Sequence, residues 1–576
     1  MIDYTELKKL SRSSAAGLKK IRLAILGDCS TQHITTAVKG FAITRGISAD
    51  VFEADYNQID AQIIDAGSEL YRHSPEFVLF VMCTEKLRES FYLRDKDSRT
   101  GFASDMTLKI TRYWDSVSAG MPASVLQFSF PYINDGVFGS FGLKEKSSFV
   151  YQLQLLNSMI SQEASKRKNV FIIDINAVQS RLGEDKFFDS KLYYIAKMPF
   201  SLEALPYIAL RTVSVIAAVG GNIKKCVILD LDNTLWGGVI GDDGLEGIRI
   251  GELGTGRAFS DFQSWLRGLR ERGILLAVCS KNNPETARLP FEKHPDMILR
   301  LDDFAMFVAN WEDKASNIVN IQQTLNIGMD SIVFIDDNPF ERDQVRSAVR
   351  DITVPEMPED PSYYVSFLKD LCLFETASFS ETDAGRTEMY RQEAQRTSLM
   401  ASYGSYDDYL MALEMRAVSA EFDSFHYPRI AQLTQRSNQF NLRTVRYTEA
   451  QIEALAHSDA HITRYYCLRD RLGDHGLIAV VVLDRMPDGA LFISELLMSC
   501  RVLKRGMEEF IINDIVSIAR KEGFETVVGE YIPTPKNSMV ADLYTRLGFT
   551  ETDGKFYANV SEFKNNKTFI QEELLS

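Results

Sequence analysis

The chain has 576 residues, a net charge of −15 and 45% hydrophobic residues, and its length predicts three or four domains rather than one core. The acidic balance, with no dense Lys/Arg run, excludes nucleic acid as the main partner. Seven scattered cysteines without a Cys-x-x-Cys pair argue against a disulfide framework or a structural zinc site, and the absence of a bilayer-length apolar run or a signal-peptide core predicts a cytoplasmic protein with no membrane partner.

In chain order, the first clear element is IRLAILGDCSTQH, an apolar strand that runs into Gly27-Asp28-Cys29-Ser30. A helix is predicted over SSFVYQLQLLNSMISQEASKR and a strand over NVFIID, an α/β layout. This block resembles the SGNH hydrolases, with Cys29 where the nucleophilic serine stands. The later FFDSKLYYIAKMPFS lacks the histidine such a triad needs, which implies a binding or scaffolding domain. Cys29 is kept as a second candidate to carry a thioester. The helical stretch ends at AAVGGN, and a second shift of pattern follows TVPEMPEDPSYY, where a Ser/Thr- and acid-rich helical stretch begins. Three blocks result: 1–220, 221–375 and 376–576.

In the central block, apolar runs recur at Val227 to Leu229, Ile274 to Val278 and Ile332 to Ile335. Between the first two, Phe259, Phe262, Trp265, Leu266 and Leu269 fall at helical spacing, and Gly273 closes that helix. Buried strands alternating with helices predict a parallel sheet, whose ligands bind beyond the carboxyl ends of the strands. There the sequence places Asp230 and Asp232 after the first strand, Ser280, Lys281 and Asn282 after the second, and Asp336 and Asp337 after the third. Lys314 lies between the second and third. Clustered carboxylates repel one another unless a cation joins them, and a hard oxygen-ligand cation such as Mg2+ does so. The same cation neutralises a phosphoryl group in transfer. One carboxylate can attack phosphorus, and one two residues on can work as acid and base.

Asp230-Leu-Asp232-Asn-Thr234, Ser280, Lys314 and Asp336-Asp337 resemble the four motifs of the haloacid dehalogenase (HAD) phosphotransferases. That resemblance implies Asp230 as nucleophile, Asp232 as acid/base, and Thr234, Ser280, Lys281, Asn282 and Lys314 around the phosphoryl group. It also implies Mg2+ held by Asp230, Asp336 and the backbone carbonyl of Asp232, with Asp337 assisting. Fifty residues separate Asp230 from Ser280 and thirty-four separate Ser280 from Lys314, which leaves no room for a cap domain.

The wider stretches DLDNTLWGGVIGDDG, VCSKNNPETA, ANWEDKASNI and FIDDNPFER resemble the FkbH-like branch of that superfamily, as do LTQRSNQFNLR and PTPKNSMVADLYTRLGF further on. This resemblance implies an enzyme that takes a glyceryl unit from 1,3-bisphosphoglycerate, an acyl phosphate, and dephosphorylates it. It implies transfer of the acyl group to the phosphopantetheine thiol of an acyl carrier protein through a cysteine thioester. Cys279, beside Ser280, is the candidate thiol, although alternation along a strand sets neighbours on opposite faces. His294 is a candidate base or an exposed loop histidine. A plain HAD phosphatase with accessory domains and a non-catalytic adaptor are the competing readings; the full set of motif residues argues against the adaptor.

In the last block, strands at Leu477 to Leu483 and Leu491 to Leu497 lead into CRVLKRGME and a helix from Met507 to Lys521. Arg501, Lys504 and Gly506 before a helix start form a phosphate cradle in principle. With NSMVADLYTRLGF, this block resembles the GNAT acyltransferases, although Lys504 stands where their first glycine does. Tyr544 is either their general acid or a core tyrosine packed on Phe549. The expected fold class is α/β in three domains: an SGNH-like α/β domain, a central Rossmann-like HAD parallel sheet without a large cap, and a GNAT-like α+β domain.

Overall fold

The structure, a computed structural model, describes residues 2–14, 16–378 and 403–573, without the side chain of Arg501. Most of the Ser/Thr- and acid-rich stretch expected to be helical lies outside the described residues. The described residues fall into two compact units. One runs to Gly220 and adds Glu375–Ala377; the other runs from Gly221 to Phe374 and from Ser378 onward.

The first unit is built on five parallel strands, β1 (Lys19–Gly27), β2 (Ile47–Glu53), β3 (Phe77–Val81), β4 (Ser124–Phe128) and β5 (Val170–Ile173), in the order β2-β1-β3-β4-β5. β1 and β3 are buried along nearly their whole apolar length, as strands covered by helices on both faces must be. The expected helix spans Phe149–Ser165 and starts where the Ser148 side chain accepts the Tyr151 N–H. The strand order reverses between β1 and β3, which is the switch point of this sheet.

The second unit holds two sheets. In the first, β6 (Cys226–Leu229), β7 (Leu275–Lys281), β8 (Phe304–Asn310) and β9 (Ile332–Ile335) run parallel in the order β8-β7-β6-β9. Helix Gly254–Glu271 buries Phe259, Phe262, Leu266 and Leu269 with Val227, Leu229, Leu276 and Val278 on one face. On the other face Cys226, Ile228, Ala277 and Cys279 pack with Ile318 and Ile321 of helix Lys314–Leu325. β8 was not among the expected strands. It is an edge strand whose middle is only half-buried, so its sequence carries no continuous apolar run.

The other sheet comprises β10 (Arg416–Ala420), β11 (His461–Asp470), β12 (Gly473–Arg485), β13 (Ala490–Met498), β14 (Thr526–Glu530), β15 (Thr550–Thr552), β16 (Lys555–Asn559) and β17 (Gln571–Glu572). Its order is β15-β16-β14-β13-β12-β11-β10-β17. The β13–β14 pair is parallel, joined through helix Met507–Glu522, and is in register only over Ala490 to Phe492. Beyond that, the edge of β13 is taken by the segment around Asn441, where Leu442 N–H donates to Leu496 O at 3.2 Å.

Candidate active site

β6 and β9 are adjacent, and the order of the parallel strands reverses between them. Asp230 follows the last residue of β6, and its N–H donates to Ile335 O of β9 at 3.0 Å. Asp336 follows β9. The crevice at this switch point therefore receives a carboxylate from each side. Carboxylate oxygens of Asp230, Asp336 and Asp337 lie within 4.8 Å of one another. Lys314 opens its helix from the loop after β8, and its Nζ lies 2.9 Å from Asp230 Oδ1 and 2.5 Å from Asp336 Oδ2. Only 5% of the Lys314 side chain is exposed, so this is an ammonium committed to two buried carboxylates rather than a surface pair.

The charges show the strain of that gathering. Burial, then the neighbouring Asp230, pushes the Asp336 carboxyl up to about 7. The same two causes in the same order raise Asp337. Burial works against the Lys314 cation, but Asp230 and Asp336 outweigh it and push Lys314 up. Three carboxylates around one ammonium leave an excess of negative charge on hard oxygens, and this donor set fits a divalent cation such as Mg2+.

Asp232 points elsewhere and is held firmly. Its Oδ1 accepts from Trp236 Nε1 and from Ile240 N–H, each at 3.0 Å, and its Oδ2 accepts from Asn282 Nδ2 at 3.0 Å. Burial raises its carboxyl. Asn282 is thus placed at the site through Asp232. Thr234 Oγ1 accepts the Asp337 N–H at 3.1 Å and donates to Asp337 Oδ1 at 3.3 Å, which ties the loop after β6 to the loop after β9. Ser280 is buried at the carboxyl end of β7. Lys281 is turned to Glu341 Oε1 at 2.7 Å.

Cys279 is not brought to the cluster. β7 continues unbroken from Leu275 to Lys281, so alternation sends Cys279 to the face opposite Val278 and Ser280. Its thiol is fully buried, donates to Lys314 O at 3.7 Å, and is pushed up to about 12, chiefly by burial. His294 ends helix Pro284–Lys293, and its Nδ1 accepts the Asp296 N–H at 3.3 Å. Among the described residues, the chain between β6 and β7 holds helices Ile240–Gly247 and Gly254–Glu271 and no cap domain.

One site residue escaped the sequence reading. Arg342, buried on helix Pro339–Ala348, donates from one guanidinium nitrogen to Asp336 O at 2.9 Å and to Asp337 O at 2.6 Å. It also pairs with Glu356 at 3.1 Å. The only signal in the chain is its place one turn and a half after Asp336-Asp337, on the helix that the Asn338 side chain caps.

In the last block Lys504 and Gly506 take left-handed backbone conformations before helix Met507–Glu522. One backbone donor of that loop already faces the chain's own acid: Lys504 N–H donates to Glu508 Oε1 at 3.1 Å. The side chain of Arg501, the third cradle residue, lies outside the described part. Neighbouring Arg505 is buried against His475, 3.0 Å away. Tyr544 is 1% exposed, with its ring centroid 5.2 Å from those of both Phe549 and Phe556.

A family model described as the FkbH N-terminal domain matches residues 22–217. The N-terminal part of the protein BF1531 from Bacteroides fragilis, containing a phosphatase domain and solved in complex with Mg, is 46% identical to this chain. It covers 66% of this chain and 100% of its own length, with a TM-score of 0.63. The ribosomal-protein-S18-alanine N-acetyltransferase from Escherichia coli is 14% identical over 26% of this chain and 98% of its own, with a TM-score of 0.20, too slight to carry an argument. No curated protein matches the chain.

Proposed function

This chain belongs to the FkbH-like proteins, and from that premise we propose that it is an Mg2+-dependent enzyme of the phosphatase type in which Asp230 attacks the phosphoryl group of an acyl phosphate. The observation that carries the reading is the Lys314 ammonium held between Asp230 and Asp336 at the carboxyl ends of β6 and β9. A purely structural domain gains nothing from gathering two buried carboxylates and a third, half-buried one at its switch point, since their desolvation and repulsion cost on the order of several kcal/mol.

Mg2+ fits between Asp230, Asp336 and Asp337, where it would neutralise charge on the phosphoryl oxygens. Lys314 adds a second positive charge at the same rim and holds the Asp230 carboxylate in place through its ion pair. The Asp230 carboxylate forms a bond to phosphorus as the bond to the acyl oxygen breaks, and the carboxylate product leaves. Asp232, fixed by Trp236, Ile240 and Asn282, then takes a proton from the water that cleaves the aspartyl-phosphate. Burial raises its carboxyl above the usual range, a shift toward the protonated form in which it can also act as an acid.

In the finer reading the acyl phosphate is 1,3-bisphosphoglycerate: a thiol attacks its acyl carbon and displaces phosphate, Asp230 removes the remaining ester phosphate rather than the acyl phosphate, and the glyceryl unit passes to the phosphopantetheine thiol of a carrier protein. This reading is supported by the FkbH resemblance and by the rim without a cap, which admits a bulky partner. The burial of Cys279 favours a second reading, a phosphatase that releases a free acid. Intact-protein mass spectrometry after mixing with 1,3-bisphosphoglycerate and Mg2+ separates the two. A hydroxylamine-labile glyceryl adduct that is absent from Cys279→Ala supports transfer through Cys279. Steady phosphate release with no adduct supports the phosphatase.

A further inference from the structure

We propose that Cys29 and Cys83 form a reversible disulfide at the carboxyl edge of the first unit's sheet. The argument begins with register. β1 and β3 are parallel neighbours with Gly27 paired to Val81 at their last residues. Cys29 and Cys83 each follow two residues later, so they occupy equivalent positions on adjacent strand ends. Neighbouring strands lie about 4.8 Å apart, inside the Cα separation of about 4.4–6.8 Å that a disulfide spans.

The local contacts keep the two loops together. Asp28 N–H donates to Val81 O at 3.2 Å, and the Cys29 thiol donates to the same oxygen at 3.6 Å. Cys83 N–H donates to Asp28 Oδ1 at 2.9 Å. The Cys83 thiol, more than burial, pushes the Cys29 thiol up, as two thiols at neighbouring strand ends do. Each cysteine is only 2% exposed, but Asp28 and Ser30 beside Cys29 are partly exposed, so the pair lies one residue below the surface. The remaining five cysteines all belong to the second unit.

Two further features suit the pair for chemistry. It sits where the strand order reverses, the crevice in which open α/β sheets take ligands. Glu85, two residues after Cys83, has a buried carboxyl that burial pushes up to about 7 and that the Cys83 thiol in turn draws down, so a proton acceptor for Cys83 is at hand near neutral pH. With a small disulfide such as oxidised glutathione as oxidant, Cys83 passes its proton to Glu85 and attacks one glutathione sulfur, expelling a glutathione thiolate. Cys29 then loses its proton and attacks the Cys83 sulfur, expelling the second. Two cysteine thiols and one oxidised glutathione become one protein disulfide and two reduced glutathiones.

The full chain is incubated folded with oxidised glutathione, quenched with an alkylating agent in denaturant, digested and read by mass spectrometry. The expected result is a Cys29–Cys83 cross-linked peptide pair lacking two hydrogens, absent from both Cys29→Ser and Cys83→Ser, and reversed by a dithiol reductant. Circular dichroism of the two variants checks their folding, and the parent's cross-link is decisive without them. Full alkylation of both cysteines in the oxidised parent, a glutathione adduct that never resolves to the cross-link, or a cross-link formed only in denaturant overturns the proposal.

Discussion

Asp230 owes its place to a one-residue overhang: β6 ends at Leu229, and the next backbone group still bonds to β9 while its side chain enters the crevice. Asp230→Asn keeps the shape but loses the attacking carboxylate and half of the Lys314 ion pairing. Phosphate release from an acyl phosphate is expected to fall by about a thousandfold or more with the fold intact, and steady-state phosphate assay together with circular dichroism checks it. Parental turnover in the variant would remove Asp230 from the nucleophile's role. Glu495 on β13 offers a separate test, on stability. It is fully buried, and burial pushes its carboxyl from 4.5 up to about 8. A carboxyl whose folded pKa is raised lets the folded state hold the proton longer than the unfolded one. Stability is then greatest below the unfolded value and falls as pH rises through the folded one. The total loss is at most about 5 kcal/mol for such a shift. Glu495→Gln, neutral at every pH, is expected to raise the thermal midpoint more at pH 9 than at pH 5; equal gains at both would show that the group does not titrate in this way.

Helix Pro339–Ala348 works as a brace. Its Arg342 satisfies the two carbonyls that follow β9 and so fixes the direction in which Asp336 and Asp337 leave the strand. Arg342→Ala strips a charged donor from two carbonyls, so Mg2+ affinity is expected to fall about 10- to 100-fold, measured by the Mg2+ dependence of turnover. An unchanged Mg2+ requirement would make Arg342 only a core residue. β14 supplies another element-level constraint. A Cβ on Gly529 would come within 2.4 Å of the Tyr544 ring, so the ring lies flat on the strand where only glycine leaves room. Gly529→Ala is expected to cost about 1–3 kcal/mol through overpacking, read by chemical denaturation of the second unit. No loss would mean that the ring moves freely, which its packing on Phe549 and Phe556 opposes.

At the scale of the whole molecule, two compact units predict two separable unfolding transitions. The gathered carboxylates belong to the second unit, and a ligand that binds only the folded state stabilises it, by about 2.7 kcal/mol at a hundredfold excess over Kd. Mg2+ is therefore expected to raise the midpoint of the second unit's transition and leave the first unchanged, by scanning calorimetry. Chelation should abolish phosphate release, and added Mg2+ should restore it. Activity that survives chelation would exclude the cation from the reaction. No helix among the described residues is long and apolar enough to cross a membrane.

The phosphatase-type centre was legible in the sequence because the α/β pattern forces it. Short apolar runs must be buried strands, successive strands separated by helices must run parallel, and whatever polar residue follows each strand must then face one crevice. Asp230 and Asp336 needed nothing more to be brought together, whereas Lys314 follows β8, a strand without a continuous apolar run, and is picked out by its motif. Periodicity carried the helix over Gly254–Glu271 in the same way, since Phe259, Phe262 and Leu266 can all be buried only on one helical face. Other features depend on neighbours that the chain meets only when folded. β8 pairs on one side alone, so half-burial leaves no apolar signature. Cys279 adjoins Ser280 in sequence, but an unbroken strand separates them by its two faces and buries the thiol. Glu508 reaches back to the Lys504 N–H, so a basic loop that reads as a cradle is already facing its own carboxylate. Arg342 reads as a surface charge until the carbonyls after β9 give it partners. Cys29 and Cys83 become neighbours only because β1 and β3 pair with Gly27 opposite Val81. Short-range pattern selects which residues leave a strand together; register and packing decide which of them meet.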